Sequence, residues 1–241
     1  MTERWNSYIR EGIESAGGLV SFALTQWSCL FPVFLAIRRA VPPGAKILDV
    51  GCGASAFTAL LAQHGYDVLG IDEDADIVQL GREMTTYFRA PARIEQGSAF
   101  ALRPFYGQFD LVFSLGVLEH FAPDTTVQLL QEQGRCASNI IVAVPTRHTC
   151  HAGPITDERL YSRSQLCRLV RQADLRVRES FVYGEVPTAL ARNLERLLPG
   201  VLYRRVKHLL SYGMGACCSA NREPGIRATE HAVALQPGKR A

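Results

Sequence analysis

The order of apolar and polar residues along the chain predicts strands that alternate with helices. Five short apolar runs, bounded by Gly, Pro or charged residues, have the length and composition of buried parallel strands; they span residues 46–50, 67–71, 93–96, 109–114 and 139–144. Apolar residues at helical spacing fill the segments between them, over 56–64, 75–89 and 125–136. Strands and helices in this order predict an α/β fold with a parallel sheet and right-handed crossovers.

The segment before the first strand has a helical pattern. We expect two helices within residues 3–40, separated near Pro32 because proline disrupts the interior of a helix. Residues 42–44, Pro-Pro-Gly, form the predicted turn into the sheet. Ser55, just before the helix at 56–64, is its predicted cap.

The pattern changes after the fifth strand. Residues 162–173 predict a helix that Ser162 caps, and residues 175–183 alternate as a strand near a sheet edge does. Residues 187–212 are predicted to be helical, with an interruption at Pro199. The tail 221–241 contains prolines, glycines and scattered charges, and we expect it to be flexible. The chain shows neither repeats nor a second domain.

Composition adds three expectations. The 241 residues, 47% of them hydrophobic, are enough for one sizeable α/β domain. A net charge of +3 gives no reason to expect a nucleic-acid partner. Seven cysteines without a CxxC pair or a secretory leader predict a reduced, cytoplasmic protein.

The most specific pattern is a strand that ends in an acid and runs into a glycine-rich turn at residues 47–55. A second apolar run, 68–72, also ends in an acid, Asp72, which lies 19 residues after Gly53. In nucleotide-binding folds an acid at this distance hydrogen-bonds the ribose hydroxyls, and the glycines let a ligand lie against the backbone. The sequence therefore predicts a nucleoside-containing ligand.

Two cofactors compete for this turn. Gly51-x-Gly53-x-x-Ala56 satisfies the dinucleotide fingerprint, which alone is a weak signal. Asp49 favours S-adenosylmethionine, because a carboxylate here would repel a pyrophosphate but attract the cofactor's sulfonium and ammonium. The stretch between Lys46 and Arg82 lacks any Lys or Arg that would favour a phosphate. An NAD-dependent oxidoreductase remains the alternative interpretation.

Three motifs resemble those of a known family. Asp49–Gly53, the acid Asp72 and the block 109–121 (FDLVFSLGVLEHF) are similar to consecutive motifs of the class I S-adenosylmethionine-dependent methyltransferases, small-molecule branch. A weaker resemblance continues over 140–183. It implies an α/β, three-layer Rossmann-like sandwich with a mostly parallel seven-stranded sheet, whose antiparallel last strand would lie at 213–220.

The resemblance also implies a cofactor site. The glycine-rich turn would hold the methionine portion, Asp72 the ribose, and Ser98 with its neighbours the adenine. The family usually has Asp at the position of Ser98, where it bonds the adenine amino group; Ser98 could replace it with its hydroxyl or leave this contact to the backbone. The implied cofactor residues are Asp49, Gly51, Cys52, Gly53, Asp72, Glu73, Ser98, Ala99, Phe100, Ser114, Leu115 and Gly116. Cys52 is interpreted as a small packing residue.

The uncharged segment 16–37 is long enough to span a bilayer, although Pro32 and several polar residues dilute it. In the resembled family the N-terminal helices form a lid over the acceptor pocket. The predicted domains are therefore a helical lid, 1–44, a methyltransferase domain, 45–220, and the flexible tail. Membrane-surface contact stays open for 16–37, and also for the basic stretch 192–208.

His120 is the candidate catalytic base, because imidazole can accept a proton from a phenol or a carboxylic acid near neutrality. Alternatively, Glu119 and His120 fix the loop or contact the cofactor. Gly116 replaces the first Glu of the Glu-x-x-Glu-His motif found in metal-dependent relatives, which argues against a metal. The candidate acceptor contacts are His148, His151, Glu158 and Tyr161, and Cys150 belongs to the same weak ligand cluster.

The acceptor is expected to be small and apolar or aromatic. The segment 114–117 lacks the motifs of enzymes that methylate bases in nucleic acids. The acceptor atom and the oligomeric state do not follow from the sequence. A homologue that binds the cofactor without turnover is a further alternative, which only Ser98 supports.

Overall fold

A computed structural model of the chain describes residues 2–146, 158–185, 197–199, 202 and 211–220. The helices are α1 (Thr2–Ser15), α2 (Leu19–Ala40), α3 (Ala56–Gln63), α4 (Ala75–Tyr87), α5 (Pro123–Cys136) and α6 (Arg163–Gln172). The strands are β1 (Lys46–Val50), β2 (Asp67–Asp72), β3 (Arg93–Gln96), β4 (Leu111–Leu115), β5 (Asn139–Pro145), β6 (Leu175–Glu185) and β7 (Ser211–Ala220). Short 3-10 turns lie at Arg103–Phe105 and Leu118–His120.

Within the described residues, seven strands form one sheet in the order β3-β2-β1-β4-β5-β7-β6. Strands β1 to β5 pair in parallel, and β7 is antiparallel to both of its neighbours. The predicted mostly parallel sheet with an antiparallel last strand is confirmed, and β6 forms the edge, as its alternating pattern predicted. The strand order reverses between β1 and β4, and open α/β sheets bind ligands outside the carboxyl ends of the strands at such a point.

Apolar side chains cover both faces of the sheet. On one face α2 and α3 bury Ile37 and Leu61 against β1 and β4. On the other, α5 and α6 bury Leu129 and Val170. Successive residues of β1, such as Ile47 and Leu48, belong to opposite faces, as the pleat of a strand requires. This burial of both faces explains the continuous apolar runs in the sequence.

The helix break predicted near Pro32 is wrong. Pro32 lies inside α2, and the chain breaks earlier, at Gly17 and Gly18, which both have positive φ (85° and 110°). The N–H of Gly18 donates to the carbonyl of Ile13 (2.8 Å) and thereby closes α1. Packing of the inner face of α2, including Val33, outweighs the hydrogen bond that proline removes.

Two helix caps test the sequence interpretation further. Ser162 caps α6 as predicted, in a capping box with Gln165. Ser55 precedes α3 as predicted, but its side chain does not cap the helix: Ser55 has a left-handed backbone (φ 57°), and its hydroxyl donates to the carbonyl of Gly53 (3.4 Å). The cap is therefore wrong, because the glycine-rich turn determines the backbone at this position.

Helix α2 is long and apolar enough, by composition, to cross a membrane. One side of it is buried in the domain, and Leu24 and Phe31 on another side are about half exposed. The tail 221–241 and most of 187–212 lie outside the described residues. The lid role of residues 1–44 stays a prediction.

Candidate active site

The glycine-rich turn connects β1 to α3 at the carboxyl edge of the sheet. The N–H groups of Gly51 and Cys52 both donate to the carbonyl of Ile71 (2.8 and 3.0 Å), which ties the turn to the end of β2. Gly51 has φ 74°, and a Cβ there would lie 2.5 Å from a methyl carbon of Val117. Glycine is therefore required at this position both by the backbone and by the close approach of the loop after β4.

Asp72 braces the same turn. Its Oδ2 accepts the N–H of Gly53 (3.1 Å), and its Oδ1 accepts the N–H of Asp74 (3.2 Å). Burial raises the pKa of the Asp72 carboxyl, although these two backbone donors partly offset the rise. Each carboxylate oxygen retains a lone pair, so the same side chain can also accept from ribose hydroxyls.

Asp49 is almost completely buried (3% exposed). Thr58 Oγ1, on α3, donates to its Oδ2 (2.5 Å). Burial raises the pKa of Asp49 to about 7, and the neighbouring charge of Asp72 adds to the rise. Near neutrality the group is therefore divided between its charged and neutral forms, and a cation bound at the turn would favour the charged one.

Cys52 lies against the sheet. A Cβ on Gly70 would be 3.0 Å from both Cβ and Sγ of Cys52, so the thiol packs where β2 leaves room for it. Burial, followed by the charge of Asp49, holds the pKa of the Cys52 thiol well above its usual range. This geometry agrees with the interpretation of Cys52 as a packing residue.

The predicted adenine contacts lie at the end of β3. The Gly97 N–H donates to the carbonyl of Asp72 (2.9 Å), which places this loop beside the predicted ribose contact. Ser98 Oγ accepts the N–H of Phe100 (3.3 Å) and so retains its own hydroxyl proton for a ligand. The Phe100 ring is about half exposed and packs edge-on against Phe121 (centroids 5.2 Å apart).

Two of the predicted cofactor residues differ from the others in their surroundings. Glu73 has an exposed side chain, and its backbone carbonyl accepts from the Gln96 amide (3.0 Å). Ser114 is fully buried, and the Gln133 amide donates to its hydroxyl (3.1 Å). A cofactor contact from Ser114 would therefore come from its backbone.

The loop after β4 reaches the site through backbone geometry. Gly116 has φ 70°, and its N–H donates to the carbonyl of Ala143 (3.0 Å) on β5. Leu115 is half-buried and Gly116 is exposed. Ala99 is half-buried in the loop after β3. All the predicted cofactor residues thus lie at the carboxyl ends of β1 to β4.

Glu119 and His120 occupy the 3-10 turn that follows, just before α5. Their side chains are 3% and 7% exposed, and His120 Nε2 is 3.9 Å from Glu119 Oε1. Burial raises the pKa of Glu119 to about 8, with a further contribution from the charge of Glu158. A buried acid and an imidazole therefore lie side by side next to Gly116.

Helix α1 covers this region. From the sequence we expected only that the N-terminal helices form a lid over the acceptor pocket. The Trp5 ring meets His120 edge-on (centroids 4.6 Å apart). Ile9 Cδ1 lies 3.7 Å from where a Cβ on Gly53 would be, so α1 also covers the cofactor turn. Residues 5, 9, 12 and 13 share one face at helical spacing, and this pattern was the available signal for the covering face.

The remaining candidates are only partly described. His148, Cys150 and His151 lie outside the described residues. Tyr161 is buried and forms an isolated parallel β-bridge with Thr146, and Glu158 is half-buried. Over residues 2–146 and the other described segments, no group of three His, Cys, Asp or Glu residues could hold a metal ion. The expectation that the protein uses no metal stays a prediction from the sequence.

Residues 47–139 match the family described as "Methyltransferase domain". A ubiquinone biosynthesis O-methyltransferase from Methylococcus capsulatus is 39% identical over 82 residues, which are 34% of each protein. A ribosomal RNA small subunit methyltransferase C from Alcanivorax borkumensis is 37% identical over 29% of this chain and 21% of that protein. The chain thus matches about a third of the length of the first relative and about a fifth of the second.

The same fold occurs in solved structures. The crystal structure of magnesium protoporphyrin IX methyltransferase from Synechocystis PCC 6803 with bound SAH aligns with 91% of this chain and 98% of that chain, with a TM-score of 0.64. The two sequences are only 13% identical. The likeness therefore lies in the architecture of the sheet and its helices.

Proposed function

We propose that this chain is a class I S-adenosylmethionine-dependent methyltransferase, which transfers the methyl group of S-adenosylmethionine to a small acceptor; the match of residues 47–139 to the methyltransferase domain and the fold shared with a solved methyltransferase support this. The observation that carries the proposal is the turn at Gly51–Gly53, which Asp72 braces at the point where the strand order reverses. An NAD-dependent oxidoreductase is less consistent with this site, because ionised Asp49 beside the turn would repel a pyrophosphate.

The residues present fit the cofactor. Asp49 offers a carboxyl group to the cationic methionine portion, and the glycine-rich turn lets the cofactor approach the backbone closely. Asp72 offers carboxylate oxygens as acceptors for the ribose hydroxyls. Ser98 and the exposed ring of Phe100 would hold the edge and face of the adenine. When bound, the cofactor supplies an electrophilic methyl group on a sulfonium, and the protein's part is to hold the acceptor in line with it.

The acceptor that we propose is small and apolar or aromatic. Its support is the pair of rings beside the site, Trp5 on α1, which lies against His120, and Phe121 just after the 3-10 turn. The relatives named for ubiquinone and for magnesium protoporphyrin are consistent with such an acceptor. The ribosomal RNA relative acts on another class of substrate, and we favour a small molecule because the rings lie within a site that α1 covers. Cytoplasmic location stays a prediction.

A labelling experiment tests the proposal. Purified protein is incubated with S-adenosylmethionine carrying a trideuterated methyl group and with an extract of apolar small molecules, and products are sought by mass spectrometry. We expect a product that carries one trideuteromethyl group. Asp72→Ala should abolish it, whereas Asp67→Ala, at the other end of the same strand and paired on the surface with Arg93, should not.

The two variants separate a specific role from general damage to β2. Equal loss in both variants would indicate that the strand was disturbed rather than the cofactor contact removed. A labelled product that persists in Asp72→Ala would contradict the proposed site. If the parent protein binds S-adenosylmethionine and yields no labelled product, a non-catalytic cofactor-binding protein becomes the better account.

A further inference from the structure

Helix α2 carries an apolar stripe on the side that faces away from the domain. Of the ten large apolar side chains that are exposed in the described residues, four belong to α2: Val20, Leu24, Phe31 and Leu35. They follow one another at intervals of four, seven and four residues, which a helix of about 3.6 residues per turn brings onto one face. Leu24 and Phe31 are 55% and 53% exposed. The stripe formed by these four residues is therefore one surface along the helix rather than a scatter of single side chains.

The packing of α2 in the domain accounts for another side of the helix. Ala23, Val33 and Ile37 are completely buried, and they fix α2 against the sheet and α3. Only 33% of the most apolar part of the helix is buried, whereas a core helix of similar composition would be buried over most of its length. Exposed apolar surface that is gathered on one face marks a site of interaction with another molecule or with a membrane. The fold alone thus does not explain the stripe.

The charges around the stripe favour an anionic surface as its partner. Residues 16–37 carry no charged side chain, and the last turn of α2 carries Arg38 and Arg39, both exposed. Arg39 pairs with Glu179 (3.1 Å). Arg38 follows Val20 by eighteen positions, which is about five full turns, so it lies on the same face as the stripe. A second copy packed stripe against stripe would find no carboxylate on α2 for Arg38, whereas anionic lipid head groups supply one kind of partner for the whole face.

We propose that the stripe is a membrane-docking surface, which lies on a bilayer that contains anionic lipids. Leu24 and Phe31 enter the boundary between head groups and acyl chains, and Arg38 contacts the phosphate groups. Trp27 Nε1 donates to the carbonyl of Ala56 at the start of α3 (2.6 Å), so α2 lies beside the cofactor turn. An apolar acceptor dissolved in the bilayer would then reach the site without passing through water. This last consequence rests on the proposed function, and the docking itself does not.

Co-sedimentation with lipid vesicles tests the docking surface and needs neither cofactor nor acceptor. The purified protein is mixed with vesicles of phosphatidylcholine, with or without an anionic fraction of phosphatidylglycerol. We expect binding to the anionic vesicles that weakens as the salt concentration rises. Leu24→Gln and Phe31→Gln should each lower the partition coefficient about ten-fold, because each removes a large apolar side chain that the bilayer would bury. Arg38→Gln should lower binding to anionic vesicles about five-fold and leave binding to neutral vesicles unchanged.

Two control variants match these changes. Thr25→Gln introduces the same side chain into the same helix, at an exposed position next to Leu24 that lies about 100° further around the helix. Arg171→Gln removes an exposed arginine from the last turn of α6, which packs on the other face of the sheet. Both controls should bind vesicles as the parent does, and circular dichroism shows whether each variant keeps the native fold.

Three results would overturn the proposal. The first is a parent protein that does not bind anionic vesicles, and the second is binding that Leu24→Gln and Phe31→Gln leave intact. The third is a dimer, seen by sedimentation velocity without lipid, that these two variants dissociate, since a second copy would then cover the stripe. Because vesicle binding is measured without turnover, its result stands even if methyl transfer is never found.

Discussion

The buried carboxyl of Asp49 should make the unliganded protein less stable as the pH rises, and Asp49→Asn should remove that effect. The pKa of Asp49 rises from 3.8 to about 7 on folding. A carboxyl with a raised pKa stabilises the fold below its unfolded value, and this stability is lost as the pH rises through the folded value. With ~1.36 kcal/mol per pKa unit, the group costs about 2.5 kcal/mol of unfolding free energy between about pH 5 and about pH 8.

Urea unfolding followed by circular dichroism at both pH values, in parent and variant, measures this difference. Every other titrating group contributes equally to both proteins, so the gap between their unfolding free energies should widen by about 2.5 kcal/mol in favour of Asp49→Asn at the higher pH. Thr58→Val, which removes only the hydrogen bond to Asp49, should retain the pH dependence. A gap between Asp49→Asn and the parent that is independent of pH would refute the reasoning. The stabilised variant should also bind S-adenosylmethionine more weakly, because it lacks the negative charge.

Three further changes test the site. Gly51→Ala should weaken S-adenosylmethionine binding. It should also lower the free energy of unfolding by more than the roughly 1–2 kcal/mol of a left-handed alanine, because its Cβ would overlap the Val117 side chain. In thermal unfolding the control Gly44→Ala, at a glycine with a similar φ and open space around it, should show the backbone cost alone. Ser98→Asp should tighten S-adenosylmethionine binding about ten-fold in calorimetry, since a carboxylate accepts from the adenine amino group more strongly; unchanged affinity would remove Ser98 from the adenine site. Trp5→Ala should speed the modification of His120 by diethyl pyrocarbonate, and an unchanged rate would show that α1 does not shield it.

The strands and the cofactor turn were predictable because their causes are local. Apolar runs and glycines are visible in the sequence, and β3 was predicted to the residue as Arg93–Gln96. The antiparallel strand at 211–220 was anticipated only through the family resemblance, since its small residues carry no clear pattern. Its position between β5 and β6 depends on long-range pairing.

What the sequence did not show depends on contacts between distant segments. Pro32 was expected to end a helix, yet packing of the buried face of α2 keeps the helix intact through it. The sequence also did not indicate that the Ser114 hydroxyl bonds to Gln133, 19 positions away. The position of Trp5 against His120 likewise follows from how α1 crosses the sheet edge, which a single sequence does not encode in any short motif.

Titration calorimetry of the purified chain with S-adenosylmethionine, with its demethylated product and with NADH tests the central claim most directly. The account predicts micromolar binding of the first two ligands, loss of both in Asp72→Ala, and no binding of NADH. Binding of NADH in place of S-adenosylmethionine would contradict the assignment of the turn and support the oxidoreductase interpretation.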